Sequence, residues 1–269
     1  MTSWTIRTPQ RLTVSEPVDQ LAVELVNGRV NVVATEGPAR IEISSVGRHP
    51  IHVVHTDGRL AVRDRKPPGG PDFLRWFGRR FNSEISIGVP ARTRVDLRLI
   101  NGSVVASGLA VATEVEVTSG QVTLMGLGGQ TSARVLHGSV EALGVAGELR
   151  MKTVSGEVIL ADSPAEMVRA STISGAIICD IDNPKGREIQ LASTSGSVTV
   201  RVRRDSDLDV DLHSTAGHIT TDFPQLAGSG PKRSPASRRG TLGAGGGRLR
   251  ASTTSGSILL LSRPAVAEE

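Results

Sequence analysis

Four versions of one short phrase occur between residues 95 and 160: NGSV at 101–104, SGQV at 119–122, HGSV at 137–140 and SGEV at 155–158. The intervals between the successive glycines of these four phrases are identical. Five further versions are NGRV at 27–30, SGAI at 174–177, SGSV at 195–198, AGHI at 216–219 and SGSI at 255–258. A fixed period of about 20 residues with β-branched content is typical of a β-solenoid.

The residues around each glycine predict two strands joined by a corner. The positions five before and two after the glycine are apolar in all nine copies. Apolar residues alternate with a step of two within each flank, which is the strand period, but the step across the glycine is odd. We therefore predict an all-β fold, a single-domain parallel β-solenoid over residues 1–269. It would have about nine coils of 18–21 residues, with neighbouring coils about 4.8 Å apart.

The residue three positions before the glycine changes in polarity from one coil to the next along the chain. It is first apolar and then hydroxylic: Leu25, Leu99, Val117, Val135, Thr153, Thr172, Ser193, Ser214 and Thr253. We expect a ladder in the later coils in which each hydroxyl bonds its neighbours. The alternative is that these positions lie at a hydrated corner.

The composition favours a narrow core and a cytoplasmic location. The 269 residues are 38% hydrophobic but only 2% aromatic, with no tyrosine. A single cysteine, Cys179, excludes an internal disulfide and occupies an inward column, so a small buried side chain is expected. The first residues lack the apolar segment of a signal peptide, and every apolar run is much shorter than a membrane-spanning helix requires. The expected location is therefore the cytoplasm.

Two basic insertions interrupt the repeat, at about residues 63–82 and 224–247. Residues 63–80 contain six Lys or Arg against two Asp, and residues 224–250 contain six against no acid. The second insertion is rich in Gly, Ser, Pro and Arg, and this composition predicts a disordered loop.

The first insertion contains aromatic residues at helical spacing, with arginines among them, which predicts a short amphipathic helix. As a binding element it would contact an anionic membrane surface or a protein partner. The alternative, which we favour, is a cap that covers the open end of the solenoid. The candidate residues are Phe73, Arg75, Trp76, Phe77, Arg79, Arg80 and Phe81.

The acidic residues Asp205, Asp207, Asp209 and Asp211 alternate with apolar ones, so a strand would place all four on its outward face. Four adjacent carboxylates are a weak candidate site for a cation such as Ca²⁺. The alternatives are a solvated edge that resists strand addition, or ion pairs with Arg248 and Arg250. Strand alternation turns His52 away from His49 and His55, so they are not expected to bind a metal. No cofactor and no catalytic residue is predicted.

Several phrases in order resemble the bacterial putative-adhesin β-strand-repeat family, also called Toastrack domains. They are VNGRV at 26–30, DGRLAV at 57–62, ISIGVP at 85–90, GTLG at 240–243 and TTSGSI at 253–258. The resemblance implies a parallel β-solenoid without established enzymatic activity. It also implies a part in cell-envelope stress or surface interaction, beside membrane-associated partners.

The expected function is a non-enzymatic interaction scaffold in the cytoplasm, at the inner membrane surface. A nucleic-acid-associated protein that uses the Arg-rich residues 232–250 is a less favoured alternative. A carbohydrate-active β-helix enzyme is the least favoured, because it needs paired acids in a groove. Asp180 and Asp182 could join such a set, but their spacing does not require it. The sequence leaves the ligand and the oligomeric state open.

Overall fold

The computed structural model describes residues 1–47, 49–64, 83–181, 187–226 and 236–264. These residues form β-strands and one short 3₁₀ helix, Pro224–Leu226, and they contain no α-helix. Within these ranges no helix is long and apolar enough to span a bilayer. The chain divides into two compact units, Met1–Gly129 and Gln130–Glu269. The predicted all-β solenoid is confirmed.

The described residues of unit 1 form nine strands. They are β1 (Thr2–Ile6), β2 (Gln10–Val14), β3 (Gln20–Ala34), β4 (Ala39–Ser45), β5 (Ile51–Thr56), β6 (Arg59–Arg63), β7 (Ser83–Val89), β8 (Arg94–Ser107) and β9 (Thr113–Met125). The long strands β3, β8 and β9 pair in parallel through their corner glycines, with Gly28 opposite Gly102 and Gly102 opposite Gly120. The coils of Gly28 and Gly102 are thus adjacent in space, although the first insertion and four strands separate the two glycines in sequence.

An additional coil lacks the repeated phrase. Strand β6 pairs in parallel with the first half of β3, and β7 pairs in parallel with its second half. Together they form a coil whose corner is interrupted by the first insertion, and Ser83 stands opposite Gly28. Antiparallel strands continue outward from this coil, through β5 to β1 and through β4 to β2. The repeated phrase does not reveal this coil in the sequence, because no glycine phrase marks its corner.

Unit 2 contains thirteen strands in its described residues. They are β10 (Gln130–His137), β11 (Val140–Leu143), β12 (Glu148–Ser155), β13 (Val158–Ala161), β14 (Met167–Ser174), β15 (Ile177–Ile181), β16 (Glu188–Ser193), β17 (Val198–Arg203), β18 (Leu208–Ser214), β19 (Ile219–Thr221), β20 (Ala236–Leu242), β21 (Gly247–Thr253) and β22 (Ile258–Arg263). The strands before the corners form one parallel series, β10–β12–β14–β16–β21–β18. The strands after the corners form a second series, β11–β13–β15–β17–β22–β19.

The order of the last three coils differs from their order in sequence. The coil of Gly256, formed by β21 and β22, lies between the coil of Gly196 and the coil of Gly217. A regular solenoid predicts that each coil pairs with the next one along the chain, and this prediction is wrong here. The strands of the inserted coil are parallel to those of both neighbouring coils. Apolar residues therefore face inward whether the coil of Gly256 or the coil of Gly217 lies next to the coil of Gly196.

The interior of each unit is filled by aliphatic side chains of the inward columns. Val104 and Leu97 in unit 1, and Val158 and Leu149 in unit 2, are fully buried. A second bend follows the strands after the corner, and its loop contributes one more buried residue per coil, such as Leu127 in unit 1. Aliphatic side chains of this size fill a thin core without aromatic rings, which agrees with the 2% aromatic content.

The corner glycines are required by the close approach of neighbouring coils. Gly156 has φ +147°, and a Cβ atom there would lie 2.6 Å from the carbonyl carbon of Gly138. Non-bonded carbon atoms are normally about 3.5–4.0 Å apart. A side chain at this corner would therefore push two coils apart, in addition to the strain of a conformation that glycine alone adopts readily.

The hydroxyl column is buried, and its hydrogen bonds run through the glycine backbone. Thr253 accepts the N–H of Gly256 at 3.1 Å and donates to the carbonyl oxygen of Gly196 at 3.1 Å. Ser214 accepts the N–H of Gly217 at 2.9 Å and donates to the carbonyl oxygen of Gly256 at 2.9 Å. The expected ladder of hydroxyl to hydroxyl bonds is corrected: Thr253 and Ser214 each join their own corner to that of the adjacent coil.

The second insertion is more ordered than the sequence indicates. Its residues 227–235 lie outside the described ranges, but β20 pairs antiparallel with β18 over seven residues. The expectation of a disordered loop over 224–247 is therefore wrong for residues 236–242. An arginine of β20, Arg239, bonds the outward carboxylate of Asp211 at 2.8 Å, which adds a charged contact to the backbone pairing.

Candidate functional site

The aromatic and basic residues predicted to form a membrane or partner contact fall within residues 65–82, outside the described ranges. They are Phe73, Arg75, Trp76, Phe77, Arg79, Arg80 and Phe81. The choice between a cap and a binding element stays a prediction. The preceding residue Asp64 is described, and its carboxylate accepts the N–H of Val26 at 3.0 Å. Burial raises the pKa of Asp64 although this hydrogen bond and the nearby His49 act to lower it.

The four aspartates do not form one cluster. Only Asp209 and Asp211 belong to β18, where they face outward as predicted, and each lies near an arginine: Asp209 is 4.0 Å from Arg248. Asp205 bonds Arg203, which lowers the pKa of that carboxyl, and Asp207 accepts the backbone N–H of Ala244. Across the described ranges, no three His, Cys, Asp or Glu side chains are placed to hold a metal ion.

Strand alternation places His52 and His55 on opposite faces of β5, and Cys179 inward on β15, as predicted. His55 faces inward and is buried, and its Nε2 bonds the carbonyl oxygen of Pro17 at 3.1 Å. His52 faces the opposite side of β5. Cys179 is buried, and burial raises the pKa of its thiol to about 12, so the reactive thiolate is not formed near neutral pH.

A groove of about 410 Å³ lies on the outward face of unit 2, across strands β14, β16 and β21. Two rows of outward side chains define it. Arg169, Gln190 and Arg250 stand side by side in one row, and Ser171, Ala192 and Ser252 form the adjacent row. The second row is the floor, since its three side chains are small. Lys152 and His213 continue the floor row on the next strand at each end.

The charges of the groove are unbalanced within the described part of the chain. Arg169 and Arg250 are exposed, and neither makes an ion pair or hydrogen bond with a described residue. Other arginines on this face are paired: Arg150 contacts Glu148, and Arg239 contacts Asp211. Between the two unpaired guanidinium groups, Gln190 Nε2 donates to Glu188 Oε1 at 2.7 Å. As far as the described residues show, the groove therefore presents two cations without an acidic partner, separated by one neutral amide.

The groove can recognise a ligand only through side chains. All three of its strands pair on both sides, β14 with β12 and β16, β16 with β14 and β21, and β21 with β16 and β18. Their backbone N–H and C=O groups are consequently engaged, and an added peptide strand finds none to pair with. Guanidinium groups bind carboxylate, phosphate or sulfate in a planar, two-pronged geometry. The arrangement suits an anionic ligand.

Sequence reasoning missed these residues. The position six residues before the glycine is occupied by Arg150, Arg169, Gln190 and Arg250. The sequence thus shows that this column is rich in arginine. Reading the coils in sequence order, however, places Asp211 beside Gln190. Only the insertion of β21 between β16 and β18 brings Arg250 to that position.

Asp180, which could have joined a pair of catalytic acids, is engaged in ion pairs. It lies between Arg201, whose Nε donates to it at 3.0 Å, and Arg263, whose guanidinium nitrogen is 3.5 Å away. This bond and the charge of Asp180 raise the pKa of Arg201. Asp182 lies outside the described residues. The arrangement of Asp180 is that of a structural ion-pair cluster.

The fold defines the class of the protein as a β-solenoid of stacked two-strand coils. The family model described as Toastrack DUF4097 matches residues 18–261, and the chain belongs to that family. The family predicted from the repeated phrases is thus confirmed.

Solved structures of similar proteins are distant in sequence. One is a putative adhesin from Bacteroides fragilis, with 14% identity, coverage of 96% of this chain and 98% of that chain, and a TM-score of 0.48. Another is a putative adhesin from Parabacteroides merdae, with 9% identity, 95% coverage of both chains and a TM-score of 0.42. A putative cell adhesion protein from Clostridium sporogenes has 10% identity, coverage of 95% and 100%, and a TM-score of 0.29. A search of the curated proteins finds no match.

Proposed function

We propose that this protein is a non-enzymatic interaction module that binds an anionic partner through the groove of unit 2. The observation that carries the proposal is a pair of arginines, Arg169 and Arg250, whose side chains form no ion pair with any described residue, beside a floor of small residues. Arg169 and Arg250 stand on the two strands that flank β16, in register with Gln190. An anionic partner that spans these strands would gain two charge-assisted contacts.

The absence of enzymatic activity is part of the proposal and is supported by the surroundings of the groove. General acid–base chemistry requires a carboxylate, histidine or similar group within reach of the bound ligand. The acids nearest the groove are Glu188, which accepts from Gln190, and Asp211, which is paired with Arg239. The described residues that line the groove contribute cationic, amide, hydroxyl and aliphatic groups, which suit binding.

The cellular place of the protein belongs to the same proposal. We place it in the cytoplasm at the inner membrane surface, as a scaffold in the response to cell-envelope stress. Support comes from the basic and aromatic sequence of residues 72–81, which is suited to an anionic lipid surface. Co-sedimentation with anionic and neutral vesicles tests it, using the intact chain and a variant with 72–81 replaced by a Gly-Ser linker. Binding of both proteins alike, or of neither, would contradict the membrane contact.

The anion-binding function is tested with the double variant R169Q/R250Q. Thermophoresis would measure its binding to oligogalacturonate, polyglutamate, a single-stranded oligonucleotide and anionic vesicles, at low and moderate salt. The matched control is R40Q/R92Q, since these unit 1 arginines are also exposed and make no ion pair with a described residue. We expect the intact chain and the control to bind at least one probe that the groove variant does not. The proposal fails if both variants bind every probe equally.

A further inference from the structure

We infer that the anionic partner is an acidic polysaccharide, bound across the strands along the row Arg169, Gln190 and Arg250. The inference rests on the proposed function, because it names the ligand class of the same groove. Neighbouring strands of a sheet are about 4.8 Å apart, so the strands that carry the two arginines are separated by about 10 Å. A ligand must present an anionic group at each end of this span.

The amide between the two arginines specifies what lies in the middle of the ligand. Gln190 Nε2 donates one of its two N–H groups to Glu188 Oε1 at 2.7 Å, so the side chain keeps its carbonyl oxygen and its second N–H for a ligand. A hydroxyl complements both, because it can donate to the oxygen and accept from the N–H. The row therefore matches the order anion, hydroxyl, anion. A polysaccharide of carboxylated sugars repeats this order along its length.

The floor of the groove fits a sugar ring in shape and in polarity. Ser171, Ala192 and Ser252 stand in register on three adjacent strands, so the surface between the arginine row and the next row is low and flat. Neither serine hydroxyl forms a hydrogen bond with a described residue. They are available to ring hydroxyls, while Ala192 offers an apolar contact to the face of a ring.

Other anionic polymers fit the groove less well. An extended acidic peptide gains most of its affinity by pairing its backbone with an open strand edge, and the three groove strands have both edges paired. Single-stranded nucleic acid is usually held by bases stacked on aromatic side chains. The described lining residues include no aromatic side chain. A polysaccharide requires neither of these features.

Isothermal titration calorimetry with purified intact protein tests the ligand class. The probes are oligogalacturonate, its methyl ester as the neutral counterpart, polyglutamate and an oligothymidylate of similar charge. We expect oligogalacturonate to bind most tightly and its methyl ester not to bind. The R169Q/R250Q variant should lose about tenfold or more in affinity, as removal of two charge-assisted contacts implies.

Shape is tested separately with Ala192→Leu, which fills the floor and leaves every charge in place. It should weaken oligogalacturonate binding at least as much as the loss of one arginine does. The matched control, Thr199→Leu, adds bulk on β17, away from the groove, and should bind normally. Normal melting of each variant shows that the coils remain folded.

Two results would overturn the inference in different ways. If polyglutamate or oligothymidylate binds as tightly as oligogalacturonate and depends on the same arginines, the ligand class is wrong but the anion-binding function stands. If no probe depends on Arg169 and Arg250, the inference and the proposed function both fail. Tolerance of Ala192→Leu with retained dependence on the arginines would show that charge alone is recognised, which also overturns the polysaccharide assignment.

Discussion

Replacement of Gly120 by alanine tests whether the corners of the coils require glycine because of close approach. Gly120 lies within β9 with φ +148°, opposite Gly102 of β8. A Cβ atom at Gly120 would lie 2.7 Å from the carbonyl carbon of Gly102, and closer to its oxygen. Ordinary contact between carbon atoms needs about 3.5–4.0 Å. By this difference, the two coils must separate by about 1 Å at this corner.

The expected loss of stability has two parts. Forcing alanine into a backbone conformation that is sparsely populated costs about 1–3 kcal/mol. Separation of the coils weakens the inter-coil hydrogen bonds on either side of the corner, and two such bonds contribute about 1 kcal/mol each. The sum is about 3–5 kcal/mol, which is a large fraction of the roughly 5–15 kcal/mol typical of a folded domain.

Gly126→Ala is the matched control, because it follows the same strand and also has a positive φ, of +57°. No atom lies within 4 Å of the position of its Cβ, so only the backbone conformation is disfavoured, by about 1 kcal/mol. Urea unfolding followed by far-ultraviolet circular dichroism gives both free energies. If the two variants differ by less than about 1 kcal/mol, the steric argument for the corners is wrong.

Three further predictions concern buried groups. Ser214→Ala removes a hydroxyl that both accepts and donates a hydrogen bond between two corners, so the free energy of unfolding should fall by about 1–3 kcal/mol, measured by urea titration; a loss below about 0.5 kcal/mol would contradict the role of this column. Cys179, with its pKa raised to about 12, should not react with Ellman's reagent at pH 8 until denaturant is added, and rapid labelling of the native protein would disprove its burial. Asp64→Asn keeps an acceptor for the N–H of Val26 and removes a partly buried charge, so it should raise the melting temperature at pH 7. Because burial raises the folded-state pKa of Asp64 above its ordinary 3.8, the native state is penalised only once the group ionises. The difference from wild type should therefore disappear as the pH falls to the ordinary carboxyl range, and a difference that stays constant with pH would exclude this cause.

The coil architecture was predictable because it depends on local alternation. Val104, Val122, Val158 and similar residues mark the inward face of each strand, and the glycine phrase marks each corner. The sequence could not reveal the order of the last coils. Strands β18 and β21 carry similar inward residues, such as Val210 opposite Leu249. Either strand could therefore pair with β16 and keep its apolar residues in the core.

The groove and β20 were missed for related reasons. Arg250 joins Arg169 and Gln190 only when the coil order is known, so no pattern local to one strand indicates the site. Strand β20, with the sequence ASRRGTL, contains few residues that favour strands. It is held as an edge strand by backbone pairing with β18 and by the contact of Arg239 with Asp211. Such a strand has no inward apolar column for sequence reasoning to find.

The position of the β21–β22 coil also affects how the chain reaches its native state. Strand β18 is synthesised before β21, and until β21 exists the exposed edge of β16 is open to β18, whose inward residues fit it. Stacking of β18 on β16 would produce a regular but incorrect solenoid, in which the next coil has no place beside β16. Correct assembly therefore requires that β18 stays unpaired until β21 has formed, or that β18 dissociates from β16 afterwards. This end of unit 2 should therefore be the last part of the unit to fold. The same unpaired edge would be the point at which a partly folded chain could accept a strand from another copy.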